Sequence, residues 1–450
     1  MELKVYNTLT RKKEEFVPIK GKKVNLFVCG PTSYDYSHIG HAKTYTQFDF
    51  IVKYLRYKKF KIFYLQNITD IDDKIIKRAD EKKDSWKELS TKFEKTFYED
   101  MKNLHVTSVN KYARATDYIK EIISQVKRLV KKGHAYKLED GYYFNLSKFK
   151  EYGKLSGRNY EEAEDATTRI DKNINKKNKG DFCLWKFSKE NEPSWKSSLG
   201  NGRPGWHIED TAITEKFFGS NYDVHGGARD LIFPHHEAEI AQMESISGKK
   251  PLVKYWLHTG FLNVKGTKMS KSLSNFITIR DALGRYDYKT IRFFFFTSHY
   301  RKPIDFSDDS LNETENSLKR INDFILNSKE NKGNVDKKLM DKTKKLFFEA
   351  LDDDFDTPKA ISVLFEFIRE ANKNNPGRNC YKLMKEINEI FDLFEFRKEI
   401  IPEEIKLMAE ERENYRRLKK WKKSDEIREA IKKKGYQVED TSEGYKVKKI

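Results

Sequence analysis

The switch of hydrophobic period between residues 23 and 55 constrains the fold more than any other feature of this chain. In KVNLFVCG, Val24, Leu26 and Val28 alternate with Asn25, Phe27 and Cys29, the period-two pattern of a strand. Gly30-Pro31 breaks that pattern, and from His38 to Leu55 apolar residues recur at helical spacing. KIFYLQNITD (61–70) repeats the strand signal, and DIDDKIIKRADEKKDSWKELSTKFEKTFYEDMKNL (70–104) reads as a helix with charged outer faces. Strand–helix alternation predicts an α/β fold with right-handed crossovers between parallel strands, and places ligands where the strands end.

The pattern changes after residue 113. A helix, the hairpin-like HAYKLEDGYYFNLS and the polar stretch DKNINKKNKGD (171–181) read as an insertion packed beside the main sheet. Strands and short helices return from Gly205 to Phe296. Beyond about Asp305 only helical patterns appear, without a 20–50 residue repeat.

Lys and Arg number 89 against 70 Asp and Glu, a formal charge of +19. Such an excess suits a polyanionic partner such as nucleic acid, general lysine richness being the plainer reading. The segment YRRLKKWKKSDEIREAIKKKG (415–435) concentrates it, with ten Lys or Arg against three acidic residues and Tyr415 and Trp421 interleaved. It reads equally as a solvated helix face or as a surface on which single-stranded bases stack. Cys29, Cys183 and Cys380 form no CxxC pair, which predicts free thiols in a reducing compartment. MELKVYNTLTRKKEE has no apolar core and the run Phe293–Phe296 is far too short to span a bilayer, so the expectation is a cytoplasmic protein without a membrane partner.

Two short motifs carry chemistry. His38-Ile39-Gly40-His41 falls where a helix begins after a strand: helix N-termini favour phosphates, Gly40 lets a base approach the backbone, and two imidazoles can donate to phosphate oxygens. This is a nucleotide cradle without a Walker lysine. Thr267-Lys268-Met269-Ser270-Lys271-Ser272 places two mobile ammonium groups on a predicted loop, where they can stabilise charge developing on an α-phosphate. Either motif alone is weak; the two together, each at the strand ends of one half-sheet, are far more specific.

With these motifs the chain resembles the class I aminoacyl-tRNA synthetases, and within them the cysteinyl-tRNA synthetase family. CGPTSYDYSHIGH, NITDIDDKIIKRA, GRPGWHIED, HGGARDLIFPHHEAEIAQ, GTKMSKSLSNF and DDFDTPKAISVLFEF resemble that family's blocks in its order, across almost the whole chain. The resemblance implies a Rossmann-like parallel-sheet catalytic core split by a connective insertion and followed by an all-α C-terminal region. The expected division is 1–112 and 204–265 for the two core halves, with the insertion at 113–203. A lysine loop and stem-contact region follows at 266–320, a helical bundle at 321–400 and a basic anticodon-binding region at 401–450.

The implied reaction joins L-cysteine and ATP, the latter with Mg2+, to cysteinyl-adenylate, and then passes the cysteinyl group to the terminal adenosine of cysteine tRNA. By match of position, His38, Gly40, His41, Asp230, Lys268 and Lys271 would bind ATP, with the two histidines and two lysines catalytic, while Cys29, Thr69 and Trp206 would line the cysteine pocket. A zinc ion in each chain, held by Cys29, Asp210, His235 and Glu239, would capture the substrate thiolate. The chemistry is sensible by itself, since His235 and Glu239 stand i, i+4 on one helix face and with Cys29 offer sulfur, nitrogen and oxygen ligands. Without the resemblance, a His and a Glu at that spacing are more often an exposed pair.

The chain departs from the family at two places. Gly205-Trp206-His207-Ile208-Glu209-Asp210 ends in aspartate where the family usually has a second ligand cysteine, which keeps a charge and an oxygen ligand but loses a soft sulfur. Ser274 replaces the usual glycine after the lysine loop and stiffens it. Two alternatives compete: a cysteine-activating ligase with an amino-sugar acceptor, opposed by the basic 415–435 segment, and a non-catalytic RNA-binding paralogue, opposed by His38, His41 and Lys271 all being present. A monomer is expected, a dimer being the alternative.

Overall fold

A short antiparallel hairpin, β1 (Lys4–Asn7) and β2 (Lys12–Glu15), leads into β3 (Lys23–Val28), α1 (Ile39–Tyr57), β4 (Lys61–Ile68), α2 (Asp73–Lys82), α3 (Trp86–Asn103) and β5 (Lys111–Arg114). The computed structural model describes residues 2–158, 175–269, 275–397, 401–441 and 444–449, in two compact units, Met1–Phe394 and Glu395–Ile450. The single helix expected over 70–104 is two. Lys83 adopts a left-handed conformation (φ 56°) that ends α2, and the chain turns before α3 begins at Trp86.

The insertion follows as α4 (Ile119–Lys131) and an antiparallel sheet of β6 (Ala135–Leu138), β7 (Gly141–Phe144), β8 (Phe182–Phe187) and β9 (Gly202–Pro204), with β6 and β7 forming the expected hairpin. Residues 171–174 of the polar stretch lie outside the described residues. The chain then returns through α5 (Ile208–Phe218), β10 (Tyr222–Ala228), α6 (Glu237–Ser247) and β11 (Val253–Thr259). β5 straddles the 112/113 boundary read from sequence and pairs with β4 as far as Arg114.

The main sheet is wholly parallel, in the order β11-β10-β3-β4-β5. Its order reverses between β3 and β10, which opens a crevice at their carboxyl ends. β3 lies at the centre, and Phe27 is as buried as Leu26 and Val28, because both faces of a parallel sheet are covered. α1 is buried nearly all round, between the sheet and the helices that follow.

After β11 come β12 (Leu262–Val264), β13 (Thr267–Lys268), α7 (Ile279–Leu283), α8 (Tyr288–Phe296) and β14 (Ile304–Phe306), which pairs in parallel with β12. Four helices, α9 (Asp308–Glu330), α10 (Lys337–Asp352), α11 (Thr357–Lys373) and α12 (Arg378–Phe391), complete the first unit. The second unit holds α13 (Glu403–Arg417) and α14 (Trp421–Lys433), then β15 (Tyr436–Thr441) and β16 (Gly444–Lys449) as an antiparallel hairpin. The C-terminal region is therefore helical up to that hairpin, which was not expected. Val438 and Val447 from its strands close a small core over Ile405, Ala409 and Ile431. Among the described residues no helix is long and apolar enough to cross a membrane.

One buried ion pair ties α1 to its surroundings. Asp49 accepts the Thr107 and Ser108 N–H groups at 2.9 Å through Oδ1, while Arg292 and Lys53 each reach its Oδ2 at 2.9 Å. Arg292 also donates to the Leu104 and His105 carbonyls at 3.1 and 3.0 Å. Burial alone would raise the Asp49 pKa, but Arg292, Lys53 and the Ser108 hydroxyl outweigh it and hold the group at about 2, below its ordinary 3.8. A carboxyl depressed on folding stabilises above its unfolded pKa, by about 2 kcal/mol for this shift, and loses that contribution as pH falls from about 4 to 2. Asp49→Asn leaves Arg292 buried without its counter-charge and is expected to destabilise the first unit by about 3–5 kcal/mol. Urea unfolding at pH 7 reads the loss, and an unchanged midpoint would contradict it.

Candidate active site and metal centre

Cys29 lies one residue beyond β3, at the floor of the crevice. Gly30 lets the chain turn there, since a Cβ would run into the Asn67 carbonyl oxygen of β4, and its N–H donates to Asn67 Oδ1 at 2.5 Å. The thiol meets side chains from three later elements. Asp210 Oδ2, from the first turn of α5, is 3.5 Å from Cys29 Sγ, and Glu239 Oε1, from α6, is 4.0 Å away. His235, in the wide turn that precedes α6, brings Nε2 within 2.8 Å of Asp210 Oδ2 and 3.3 Å of Glu239 Oε1. The four predicted ligands thus converge, and all are buried.

The set fits a metal better than it fits itself. Asp210 Oδ1 and Glu239 Oε2 are buried without a hydrogen-bond partner among the described residues, and Glu209 Oε2 beside them is also unpaired. Burial, then the Asp210 and Glu239 carboxylates, push the Cys29 thiol well above its ordinary pKa. Burial and Asp210 likewise raise Glu239 and Glu209. Buried anionic oxygens facing one another across a thiol are costly unless a cation neutralises them.

Two imidazoles missed from the sequence back the cysteine. His225 Nε2 from β10 is 3.3 Å from Cys29 Sγ and His236 Nε2 is 3.2 Å away, so Cys29, His225, His236 and Glu239 make a second convergent set. Their outer nitrogens are engaged, His225 Nδ1 by the Tyr222 hydroxyl at 2.6 Å and His236 Nδ1 by His258 Nε2 at 2.9 Å. Burial lowers the pKa of both, and takes His258 down to about 3. The signal was present in the block HGGARDLIFPHHEAEIAQ, which opens on His225 and carries His236 directly after His235.

The centre forms one end of a cavity of about 400 Å³. Thr69, Trp206, Asp210 and His235 line that end, and His38, Gly40, His41, Asp230, Gly260, Phe261 and Met269 line the remainder. The Thr69 hydroxyl donates to Glu209 Oε1, and Trp206 lies against His235 with ring centres 4.7 Å apart.

The start of α1 differs from a bare helix N-terminus. Its first N–H groups are already taken: Ile39's by the Ile277 carbonyl (3.0 Å), Gly40's by His38 Nδ1 (3.1 Å) and His41's by the His38 carbonyl (2.9 Å). What remains for a phosphate is the helix dipole and the imidazoles. His38 Nδ1 accepts from Gly40, and His41 Nδ1 accepts from the His38 N–H at 3.3 Å, which puts the ring proton of each neutral imidazole on Nε2. Burial, then His38, lower the His41 pKa and keep it neutral. Lys271 and Ser274 lie outside the described residues, as does the side chain of Lys268; Met269 reaches the cavity wall.

The sequence and the fold also match known proteins. Residues 15–316 match the family described as tRNA synthetases class I (C) catalytic domain, and residues 346–395 match the DALR domain. The chain is 44% identical to the cysteine–tRNA ligase of Thermococcus gammatolerans, covering 100% of both chains. It is likewise 44% identical to that of Pyrococcus horikoshii, covering 98% of each. Among solved structures it resembles Mycobacterium tuberculosis methionyl-tRNA synthetase in complex with methionyl-adenylate, with a TM-score of 0.61 at 14% identity, over 82% of this chain and 88% of that one.

A protonated thiol and a raised carboxyl must lose protons when a cation enters. Calorimetric titration of metal-free protein with Zn2+ at pH 7, in buffers of differing ionisation enthalpy, is expected to show release of about one proton or more per metal bound. Binding without proton release would contradict the protonation state assigned to Cys29.

Proposed function

This chain belongs to the class I cysteine–tRNA ligase family, and from that premise we propose that the cavity beside Cys29 seizes the cysteine thiol at the Cys29 end and holds ATP at the α1 end. The family activity is activation of cysteine with ATP and charging of tRNA. The observation that carries the site assignment is the convergence of Cys29, Asp210, His235 and Glu239 at the end of a cavity that His38 and His41 also line.

A zinc ion held by Cys29, Asp210, His235 and Glu239 would supply a Lewis acid soft enough to bind the substrate as thiolate. The protein's own groups do the rest. Thr69 and Trp206 confine the amino acid beside Cys29, so that its carboxylate points along the cavity towards α1. His38 and His41 donate from Nε2 to phosphate oxygens, Asp230 reaches the ribose, and Mg2+ accompanies the phosphates. The cysteine carboxylate oxygen attacks the α-phosphorus, the bond to the β-phosphate oxygen breaks, and pyrophosphate leaves. Lys268 and Lys271 stabilise the charge that accumulates during that displacement.

Transfer then uses the terminal adenosine of cysteine tRNA. The second unit suits a nucleic-acid contact: Trp421 is 55% exposed with Arg416 over its ring, and Lys423 lies over Tyr415. Stacking surfaces framed by cations are what unpaired anticodon bases require.

Asp210 decides the metal question. Asp210→Ala is expected to lower zinc content from about one per chain and to weaken cysteine binding by about 10–100-fold, while Asp210→Cys keeps both. Elemental analysis with equilibrium binding measures the two quantities together. Full occupancy in Asp210→Ala would remove this aspartate from the ligand set.

A further inference from the structure

Lys43 is an oddity that the reaction as described does not use. It sits on α1 two residues past His41, is 1% exposed, and makes no ion pair among the described residues. Its ammonium instead donates to three backbone carbonyls: Gly260 at 2.7 Å, Lys302 at 2.8 Å and Phe261 at 3.3 Å. An ammonium buried without a counter-charge is costly, and burial lowers its pKa to about 7. An apolar side chain of equal length would fill the same space without that cost.

The carbonyls it gathers belong to the base of the lysine loop. Gly260 and Phe261 lead from β11 into β12 and β13, which run up to Met269, and Lys302 precedes β14, the partner of β12. The junction is tight: the Gly260 N–H donates to the Tyr300 carbonyl at 2.8 Å, and a Cβ at Gly260 would strike the Lys302 carbonyl oxygen. Thr44, next to Lys43, shares a 2.9 Å hydrogen bond with the Thr259 hydroxyl. The downstream stem is fastened to the same helix start, with Ile39 N–H donating to Ile277 O at 3.0 Å and Ile279 N–H to Ser37 O at 2.9 Å.

We propose that Lys43 is a positioning residue for cysteine activation, whose three charge-assisted hydrogen bonds fix the upstream stem of the lysine loop against α1 so that the loop lysines and the His38 and His41 imidazoles address one phosphate group. The inference rests on the reading that Lys268 and Lys271 meet the phosphates. Displacement of a catalytic group by about 1 Å costs on the order of 100-fold in rate, so a residue that anchors the stem of the lysine loop matters without touching substrate.

Lys43→Met keeps the volume and removes the donors. Single-turnover adenylate formation is expected to slow by about 10–100-fold, with the KM for cysteine and for ATP essentially unchanged. Transfer from preformed cysteinyl-adenylate to tRNA should keep its wild-type rate, and Lys43→Arg should recover part of the activation rate. Equal slowing of both steps, or no slowing of either, overturns the proposal.

A cycle with Lys271→Ala tests the route: Lys43→Met combined with Lys271→Ala should slow activation by less than the product of the two single defects, because part of what Lys43 positions is already gone, and fully multiplying defects would show that Lys43 acts elsewhere. If Lys271→Ala activates cysteine at the wild-type rate, the role given to the loop lysines fails, and selective loss of activation in Lys43→Met still decides whether the anchor positions the site. Should Lys43→Met fail to fold, Gly260→Ala opens the same junction with Lys43 in place, and the same selective loss is expected. Its absence there overturns the proposal.

Discussion

The site exists because β3 pairs in parallel with β10, two strands brought together from opposite sides of a long insertion. Val224 to Gly226 lie beside Leu26 to Val28, and the Cys29 N–H donates to the Gly226 carbonyl at 3.1 Å. That register puts Cys29 next to His225 at the switch point of the sheet, where parallel strands leave a crevice. A Cβ at Gly226 would meet the ring of Phe48, so the closeness of α1 to this pair depends on the glycine. Loss of the pairing would separate the thiol from every other group of the centre.

Buried charge is handled in three different ways around this pairing. Asp49 is fully matched, by two cations and two N–H groups, and serves stability. Lys43 is matched only by carbonyl dipoles and fastens backbone. Asp210, Glu239 and Glu209 retain oxygens without a hydrogen-bond partner among the described residues, around a raised thiol, an arrangement that suits a cation. The pattern separates what holds the fold from what the reaction needs, since groups left unsatisfied in a dry interior mark where a ligand belongs.

Sequence pattern revealed the central βα unit because Gly30-Pro31 punctuates it so sharply, and His38 does cap α1. The break between α2 and α3 was hidden because a lysine, not a glycine, takes the left-handed position at 83. The terminal hairpin was overlooked although Tyr436 and Val438, then Tyr445 and Val447, alternate; the dense charge between them masked the period. Cys29, Asp210, His235 and Glu239 were legible through resemblance. His225 and His236 were not, because neither strand periodicity nor local spacing says which imidazole a distant cysteine will meet. Lys43 was invisible for the same reason: its partners are backbone carbonyls more than two hundred residues away, and carbonyls leave no mark in a sequence.

Selection of the amino acid turns on whether a metal binds its thiol before the carboxylate is activated. Shape alone discriminates poorly between cysteine and serine, which differ by one atom, whereas a soft metal distinguishes sulfur from oxygen without an editing site. ATP–pyrophosphate exchange measured across the amino acids, with zinc-loaded and chelator-stripped protein, tests this directly. The expected result is exchange driven by cysteine alone in loaded protein and lost on stripping. Exchange driven equally by serine, or metal-free protein that still activates cysteine and rejects serine, would contradict it.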